Sequence, residues 1–472
     1  MAYFARDILA QWTQGDWINE NAGTRIEGFS IDSRQIDEKE MFIALRAPER
    51  DGHDYVIDAE RRGATAALTE QCVSQSKIPQ LKVKKGITAL QMIAKNHRLQ
   101  FEGPVVGITG SCGKTSTKDL LAHLLGESRV LKTKGNLNNH LGVPLTLLRL
   151  DAEKHAYGVI EAGINSKGEM ELLADLINPT IGLVTMIGRA HLELLDDLES
   201  VATEKAALLR DGKQKDAVVY PASCLRYQAF RNLRDTPNQV LTPLGMELPS
   251  LAWINPVYYW CLVDESGFWK LFIRENNGRQ REFRIPGMSA GMRQNLALAL
   301  ITASRLGTSD EKLQEKVLTW YPSDNRGQIL RSSRNWIYSD CYNANPDSMK
   351  DSLGAFNATF GAELPRLYVL GSMFELGKNA ASYHRDISAK LNLRTEDRVI
   401  CVGRHAGDYA SGLRAIGRES QMLLACEKAE AAIAHVHGFE GAVFLKGSRA
   451  NRLETLIPAN AAKIMLDSGK LC

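Results

Sequence analysis

The sequence predicts an α/β protein of three domains, with parallel sheets wrapped by helices in the second and third. Three observations carry that reading. From Phe101 onward, short β-rich runs ending in Gly or a polar residue alternate with helical patterns; the alternation starts afresh near Trp320; and 472 residues exceed what one hydrophobic core usually supports. The expected boundaries give domains at 1–102, 103–319 and 320–472.

In the second domain, Val105–Thr109 reads as a buried strand followed by a Gly-containing loop and a helix from Lys114. Leu120, Leu121, Leu124 and Leu125 recur along that helix at helical spacing. Tyr157–Glu161, Ile181–Ile187 and Ala217–Tyr220 read as further strands, 198–209 and 296–306 as helices, and the sheet is expected to be doubly wound. The third domain repeats the rhythm, with strands at Trp336–Asp340, Leu367–Leu370, Arg398–Val402 and Ala442–Leu445. The first hundred residues lack it, and Gly103–Pro104 reads as a hinge. The segment 211–286 is the least legible: Trp253, Tyr258, Tyr259, Trp260 and Trp269 among polar turns suggest a small antiparallel sheet, its aromatics packed rather than ligand-binding.

Bulk composition excludes several classes. Hydrophobic residues at 44% and charged residues at 24% are those of an ordinary globular chain rather than a disordered one. The 58 basic side chains nearly balance the 55 acidic ones, with no long basic run, so nucleic acid is not expected as a partner. No apolar run approaches the about eighteen residues needed to cross a bilayer, and the N-terminus carries Arg6 and Asp7 within its apolar stretch; a cytoplasmic protein is expected. The eight cysteines are scattered, without zinc-like spacing, and read as reduced thiols.

The segment Gly107-Ile108-Thr109-Gly110-Ser111-Cys112-Gly113-Lys114-Thr115 lies between a predicted strand and a predicted helix. In that setting backbone N–H groups at a helix N-terminus cradle phosphates, with Lys114 supplying a cation and Thr115 a hydroxyl for Mg²⁺. The generic phosphate-loop pattern asks for Gly where Ile108 stands. A Gly-rich fragment alone is equally an ordinary turn, but the Gly113-Lys114-Thr115 end in a strand–loop–helix frame favours ATP.

Glu161 falls at the C-terminal end of a predicted strand, where open α/β sheets place ligands, and His191 follows across another strand. A carboxylate and a neutral imidazole beside a phosphate loop suit Mg²⁺ ions that screen a substrate carboxylate from ATP. Each alone also fits a structural role. Lys205, on the predicted helix 198–209, fits a solvated lysine on an exposed face.

Beyond these, the chain resembles the Mur ligases. The carrying segments are Asp32-Ser33-Arg34, Met41-Phe42-Ile43-Ala44-Leu45, Asp51-Gly52-His53 and Gly63-Ala64-Thr65-Ala66 at the N-terminus. In the middle they are the T-G-x-x-G-K-T form of the loop, Thr133 with Gly135-Asn136-Leu137-Asn138-Asn139, and Gly142-Val143-Pro144-Leu145-Thr146. In the third domain, Asp340-Cys341-Tyr342-Asn343-Ala344-Asn345-Pro346-Asp347-Ser348-Met349 resembles the branch that adds D-alanyl-D-alanine. Val369 to Met373, Glu375-Leu376-Gly377, His384 and Leu445-Lys446-Gly447-Ser448-Arg449 point the same way.

The resemblance implies an N-terminal α/β domain binding a uridine-nucleotide substrate, a central ATPase domain of phosphate-loop type, and a Rossmann-like C-terminal domain receiving the amine. It implies a monomeric ATP-dependent ligase joining D-alanyl-D-alanine to UDP-N-acetylmuramoyl-tripeptide through an acyl phosphate. Carried over, Gly110, Ser111, Cys112, Gly113, Lys114, Thr115, Ser116, Asp340 and Tyr342 would hold the nucleotide, Asn295 the adenine and Arg326 a phosphate. Thr115, Glu161, His191 and Lys205 would serve Mg²⁺, Lys205 as a carbamate whose new carboxylate coordinates metal. Ser33, Arg34, Asn138, Asn139, Asn343, Asn345 and Lys446 would serve the substrates.

Two positions depart from the family pattern. The usual His-Asn pair before Asn295 is Gly291-Met292, and the usual Asn-x-Asp after the strand at 217–220 is Pro221-Ala222-Ser223. Two alternatives stay open at this point: a ligase recruited to another carboxylate and amine, and a nucleotide-binding scaffold without chemistry.

Overall fold

The protein is described by a computed structural model covering residues 3–19, 25–210, 216–234, 236–264, 268–361 and 363–464. Cys472 and parts of the segment 211–286 lie outside the described residues; the other seven cysteines are free thiols.

The central sheet has nine strands in the order Gln280–Ile285, Trp269–Glu275, Ile254–Val263, Asn238–Pro243, Ala217–Pro221, Ile181–Val184, Val105–Thr109, Tyr157–Glu161, Val130–Lys132. Pairing is parallel from Ile254–Val263 to Val130–Lys132. Val105–Thr109 therefore sits between Tyr157–Glu161 and Ile181–Val184, the reversal of strand order at which doubly wound sheets open a ligand crevice. One face is covered by Lys114–Leu125 and Ala290–Arg305, whose Leu121, Leu124, Leu296 and Leu300 share one apolar cluster. Glu169–Ile177 and Leu198–Ala206 belong to clusters on the other face.

The aromatic segment is no separate sheet. It first extends the parallel sheet and then adds two antiparallel strands at its edge. There Trp260 stacks on Phe272 with ring centroids 5.1 Å apart, so packing is the outcome for that ring. The helix expected at 296–306 starts earlier, at Ala290, because the Ser289 hydroxyl accepts the Met292 N–H (3.0 Å) as an N-cap.

The third sheet runs Met422–Cys426, Arg398–Val402, Arg366–Gly371, Gly441–Lys446, Asn335–Ser339, Gln328–Arg331, Ala462–Lys463. Its first five strands are parallel and its last two antiparallel. The N-terminal sheet is also mostly parallel, in the order Asp16–Ile18, Gln80–Lys82, Ala66–Thr69, Glu40–Ile43, Gly28–Ser30. Strands of three or four residues are too short to show an alternation, which is why this rhythm is hard to see in sequence.

The junction at Gly103–Pro104, expected as a hinge, is bridged by packing. A single apolar cluster joins Ile43, Leu68 and Leu90 of the first domain to Val143, Leu147 and Leu173 of the second. Helix Gly86–Leu99 lies against Gly142–Leu147 and Glu169–Ile177. At its end the buried Arg98 donates to the carbonyls of Ile177 (2.9 Å), Asn178 (2.8 Å) and Phe101 (2.9 Å), and burial pulls its pKa down to about 10. No helix among the described residues is long and apolar enough to cross a membrane.

Replacing Arg98 by Ala leaves three carbonyls without donors, each costing about 1–3 kcal/mol when buried. Arg98→Ala is expected to destabilise the first two domains together by at least about 3 kcal/mol, read as a lowered denaturant midpoint. A midpoint unchanged from the parent would show that the seam does not depend on this side chain.

Candidate active site

The loop after Val105–Thr109 turns through Gly110 (φ 150°) and Gly113 (φ 81°), and Gly113 stands at the N-cap of Lys114–Leu125. A Cβ at Gly113 would lie 2.6 Å from the Asn295 amide nitrogen, so glycine is required both by the left-handed backbone and by this close approach. Asn295, buried at 8% exposure, thus packs directly under the loop. Lys114 Nζ donates to the Gly110 carbonyl (2.8 Å), curling over the turn. Ser116 is buried in the first turn, while Thr115 faces a cleft of about 470 Å³ with Lys118, Thr133, Arg326 and Tyr342.

Ser111 ties this loop to the one carrying His191. Its N–H donates to the Met186 carbonyl (2.9 Å), and its hydroxyl donates to the Gly188 carbonyl (3.0 Å) and accepts the Gly188 N–H (2.9 Å). His191 has a left-handed backbone (φ 58°), and its Nδ1 lies 2.7 Å from Glu375 Oε2 of the third domain. That hydrogen bond, with the charge of Lys114 behind it, holds the Glu375 carboxyl below the usual carboxylate range.

Glu161 is 2% exposed at the end of its strand. Asn138 Nδ2 donates to its Oε1 (2.8 Å), whereas Oε2 has no hydrogen-bond partner among the described residues and faces Lys118 Nζ at 4.0 Å. Lys118 is itself held by the Thr133 carbonyl (2.8 Å), and the Thr133 hydroxyl accepts the Glu161 N–H (2.9 Å). The Thr133 and Asn138 signature therefore fixes the carboxylate. Asn139 instead shapes the turn before the next helix, its Oδ1 accepting the N–H groups of Leu141 (3.1 Å) and Gly142 (2.9 Å).

Lys205 is not solvated. It is 0% exposed on Leu198–Ala206, and its amine has no hydrogen-bond partner among the described residues. Burial first, and the charge of Lys114 second, push its pKa well below the lysine value. Both causes favour the neutral amine, the form that reacts with CO₂, over the ammonium.

The third domain docks through the N-terminus of helix Pro346–Thr359. Asn345 caps that helix by accepting the Ser348 N–H (2.9 Å), and its amide nitrogen lies 2.9 Å from the Cys112 sulfur. Asp347 accepts from the N–H (2.7 Å) and guanidinium (2.9 Å) of Arg189, and Asp351 accepts the Gly291 N–H (2.9 Å). Gly291, one of the departures from the family pattern, thus makes room for this contact: a Cβ there would lie 2.7 Å from the Asp351 carboxylate. Met292, the other, lines a cavity of about 400 Å³ with Arg293, Arg326, Tyr338, Asp351 and Ala355. Burial raises the Cys112 thiol pKa, which argues for packing rather than redox chemistry.

Arg326 borders both cavities and stacks over the Tyr342 ring at 3.9 Å. Lys446, expected at the substrates, lies beneath the loop it was to share: Nζ bonds Asp340 Oδ2 (2.5 Å) and approaches the carbonyls of Asp340 and Asn343 (3.3 Å each). Ser352 engages the same carboxylate, so Asp340 is committed to internal contacts. Asn343 is exposed beside them. Ser33 is buried in the first domain, and Arg34 pairs bidentately with Asp32 there (2.9 and 2.7 Å), holding the Asp32 pKa at about 2. Sequence reasoning missed Glu375, Asp347 and Lys118 as site residues; the first two lay in recognised segments, but nothing in their spacing shows that they cross a domain boundary.

Comparison with known proteins agrees with this architecture. Three family models match in order: "Mur ligase family, catalytic domain" over 25–98, "Mur ligase middle domain" over 108–259, and "Mur ligase, glutamate ligase domain" over 325–449. The chain belongs to the Mur ligase family. It is 28% identical over 411 residues to the UDP-N-acetylmuramoyl-tripeptide--D-alanyl-D-alanine ligase of Bacillus subtilis, covering 86% of each chain. Against the Escherichia coli protein of that name the figures are 28% over 472 residues and 96% of each. Its fold matches the crystal structure of MurF from Acinetobacter baumannii with a TM-score of 0.82 at 25% identity, covering 96% of this chain and 98% of that one.

Gly113→Ala is expected to weaken nucleotide binding by at least about tenfold, since the new methyl must displace Asn295 in a left-handed turn. Titration with a fluorescent ATP analogue measures it, and parental affinity would contradict the placement.

Proposed function

We propose that this enzyme joins D-alanyl-D-alanine to a UDP-N-acetylmuramoyl-tripeptide at the expense of ATP, in the assembly of peptidoglycan precursors. The reading is supported above all by the phosphate loop ahead of Lys114, together with the Glu161 carboxylate held by Asn138 and the buried Lys205 amine on which the charge of Lys114 acts. The full-length relatives named above supply the substrates.

A carboxylate does not condense with an amine at neutral pH because oxide is too poor a leaving group. Its terminal oxygen therefore attacks the γ-phosphorus of ATP in line, the bond to the β-bridging oxygen breaks, and ADP leaves. Lys114 and the loop N–H groups face the charge that spreads over the transferred phosphoryl group. The dipeptide ammonium gives up one proton to solvent, its free nitrogen attacks the acyl carbon, the C–O bond to phosphate breaks as phosphate leaves, and the nitrogen releases a second proton to solvent. Closure of the third domain excludes water that would hydrolyse the acyl phosphate.

Mg²⁺ suits the donor set. Among the described residues no three His, Cys, Asp or Glu side chains gather at one point. The unpartnered Glu161 Oε2, the Thr115 hydroxyl, His191 and a carbamate on Lys205 would instead supply the ligands. Bound there, Mg²⁺ would screen the repulsion between the substrate carboxylate and the triphosphate. In this reading Asn295 and Arg326 contact the nucleotide, and the first domain holds the uridine moiety near Ser33 and Arg34. The enzyme works as a cytoplasmic monomer.

Phosphate release from ATP is expected only when both tripeptide and dipeptide are present. Lys205→Ala should lower it by at least about a thousandfold, with partial recovery on adding short-chain carboxylates that refill the vacated space. Release with a different acid and amine, but not with these, would assign the enzyme to other substrates; full activity in Lys205→Ala would remove the carbamate.

A further inference from the structure

The acidic groups that the third domain presents to the central domain are not equivalent. Asp347 has both oxygens on Arg189, Asp351 accepts the Gly291 N–H, and Asp340 is committed to Lys446 and Ser352. Asp351 and Asp340 each use a single oxygen in these contacts, and Glu375 differs from the group in its exposure, 55% against 20% for Asp340 and 23% for Asp347. One of its oxygens meets His191 Nδ1 at 2.7 Å, and the other has no partner among the described residues.

The loop that carries Glu375 is built to hold it there. Glu375 has a left-handed backbone (φ 62°), which a non-glycine residue adopts only when its surroundings over-determine it. The three residues before it are pinned one by one. Asn451 holds both the N–H (3.2 Å) and the carbonyl (2.7 Å) of Ser372, His384 Nε2 accepts the Met373 N–H (2.8 Å), and the Ser448 hydroxyl accepts the Phe374 N–H (3.1 Å). The Glu375 carbonyl also receives the Glu193 N–H from the central domain (3.3 Å).

Of the carboxylates lining the neighbouring cleft with Arg326, Asp119 is engaged by Lys118, Lys132 and Ser323, and Asp324 by Lys463 and Gln328, while Lys114 and the loop N–H groups suit anions. The second substrate, however, arrives as an ammonium ion. Glu161 cannot receive it, being 2% exposed and already facing Lys118. We propose that Glu375 binds the ammonium group of the incoming amine through its free carboxylate oxygen, bringing the nitrogen beside the site where the acyl phosphate forms. This rests on the ligase reading above and names a residue of its acceptor subsite.

Glu375→Gln keeps the size of the side chain and an oxygen for His191 while removing the charge. Two assays on the full-length enzyme separate the halves of the reaction. One varies D-alanyl-D-alanine at saturating ATP and tripeptide. The other omits the dipeptide and traps the acyl phosphate with hydroxylamine, a neutral nucleophile that needs no ammonium site, as a hydroxamate. The variant is expected to raise the dipeptide KM by roughly 10- to 100-fold, the loss of one charged hydrogen bond, with hydroxamate formation within about twofold of the parent. Hydroxamate yield also reports that the variant is folded. Equal loss in both assays would place Glu375 in the service of His191 and the activation step and overturn the inference, as would an unchanged dipeptide KM. If the parent enzyme itself yields neither hydroxamate nor peptide product, the ligase reading fails, and this inference with it.

Discussion

An ammonium group does not rest inside a protein without a partner, because stripping it of water is far more costly than giving up its proton. Lys205 is in that position: it is fully buried on Leu198–Ala206, its amine has no hydrogen-bond partner among the described residues, and the charge of Lys114 acts on it. The fold thus favours the neutral amine over the ammonium. The long helix face that buries it, through Val201, Ala202 and Ala206, is ordinary apolar packing against the sheet. That packing is what converts a common surface residue into a reactive one, and the proposed carbamate chemistry depends on it.

The remaining parts are held by contacts that cross the sheet and then the domain boundary. Ser111 couples the phosphate loop to the loop of His191, and Thr133 with Asn138 sets the Glu161 carboxylate. The first and second domains share a core, so they act as one base. The third meets that base through polar contacts of Asn345, Asp347, Asp351 and Glu375 rather than through a continuous apolar seam. Polar, water-replaceable contacts suit a domain that must open to admit substrates and close to exclude water.

Much of this was legible in sequence. Val105–Thr109, the helix from Lys114, Tyr157–Glu161 and Arg398–Val402 are long or apolar enough for periodicity to reveal them, and their glycines mark the loop. The N-terminal strands were not, being three or four residues long. The edge strands 269–275 and 280–285 were harder to read because only one face of each is buried, through Leu271, Ile273, Phe283 and Ile285, and a charged residue, Arg281, is buried on that face. At the site, residue type and spacing pointed to Lys114, Glu161 and His191, but not to the state of Lys205, which depends on burial from distant segments. Lys446 and Asp340 look like ligand groups in sequence and prove to pair with each other, since spacing of 106 residues says nothing of contact.

The central claim concerns the chemical state of Lys205. Carbon-13 NMR of the enzyme equilibrated with ¹³C-bicarbonate, with Lys205→Arg as the control, addresses it directly. A carbamate resonance is expected in the parent, broadened by stoichiometric Mn²⁺ and absent from the control. A parent spectrum without that resonance, in enzyme that nonetheless forms peptide product, would contradict the account.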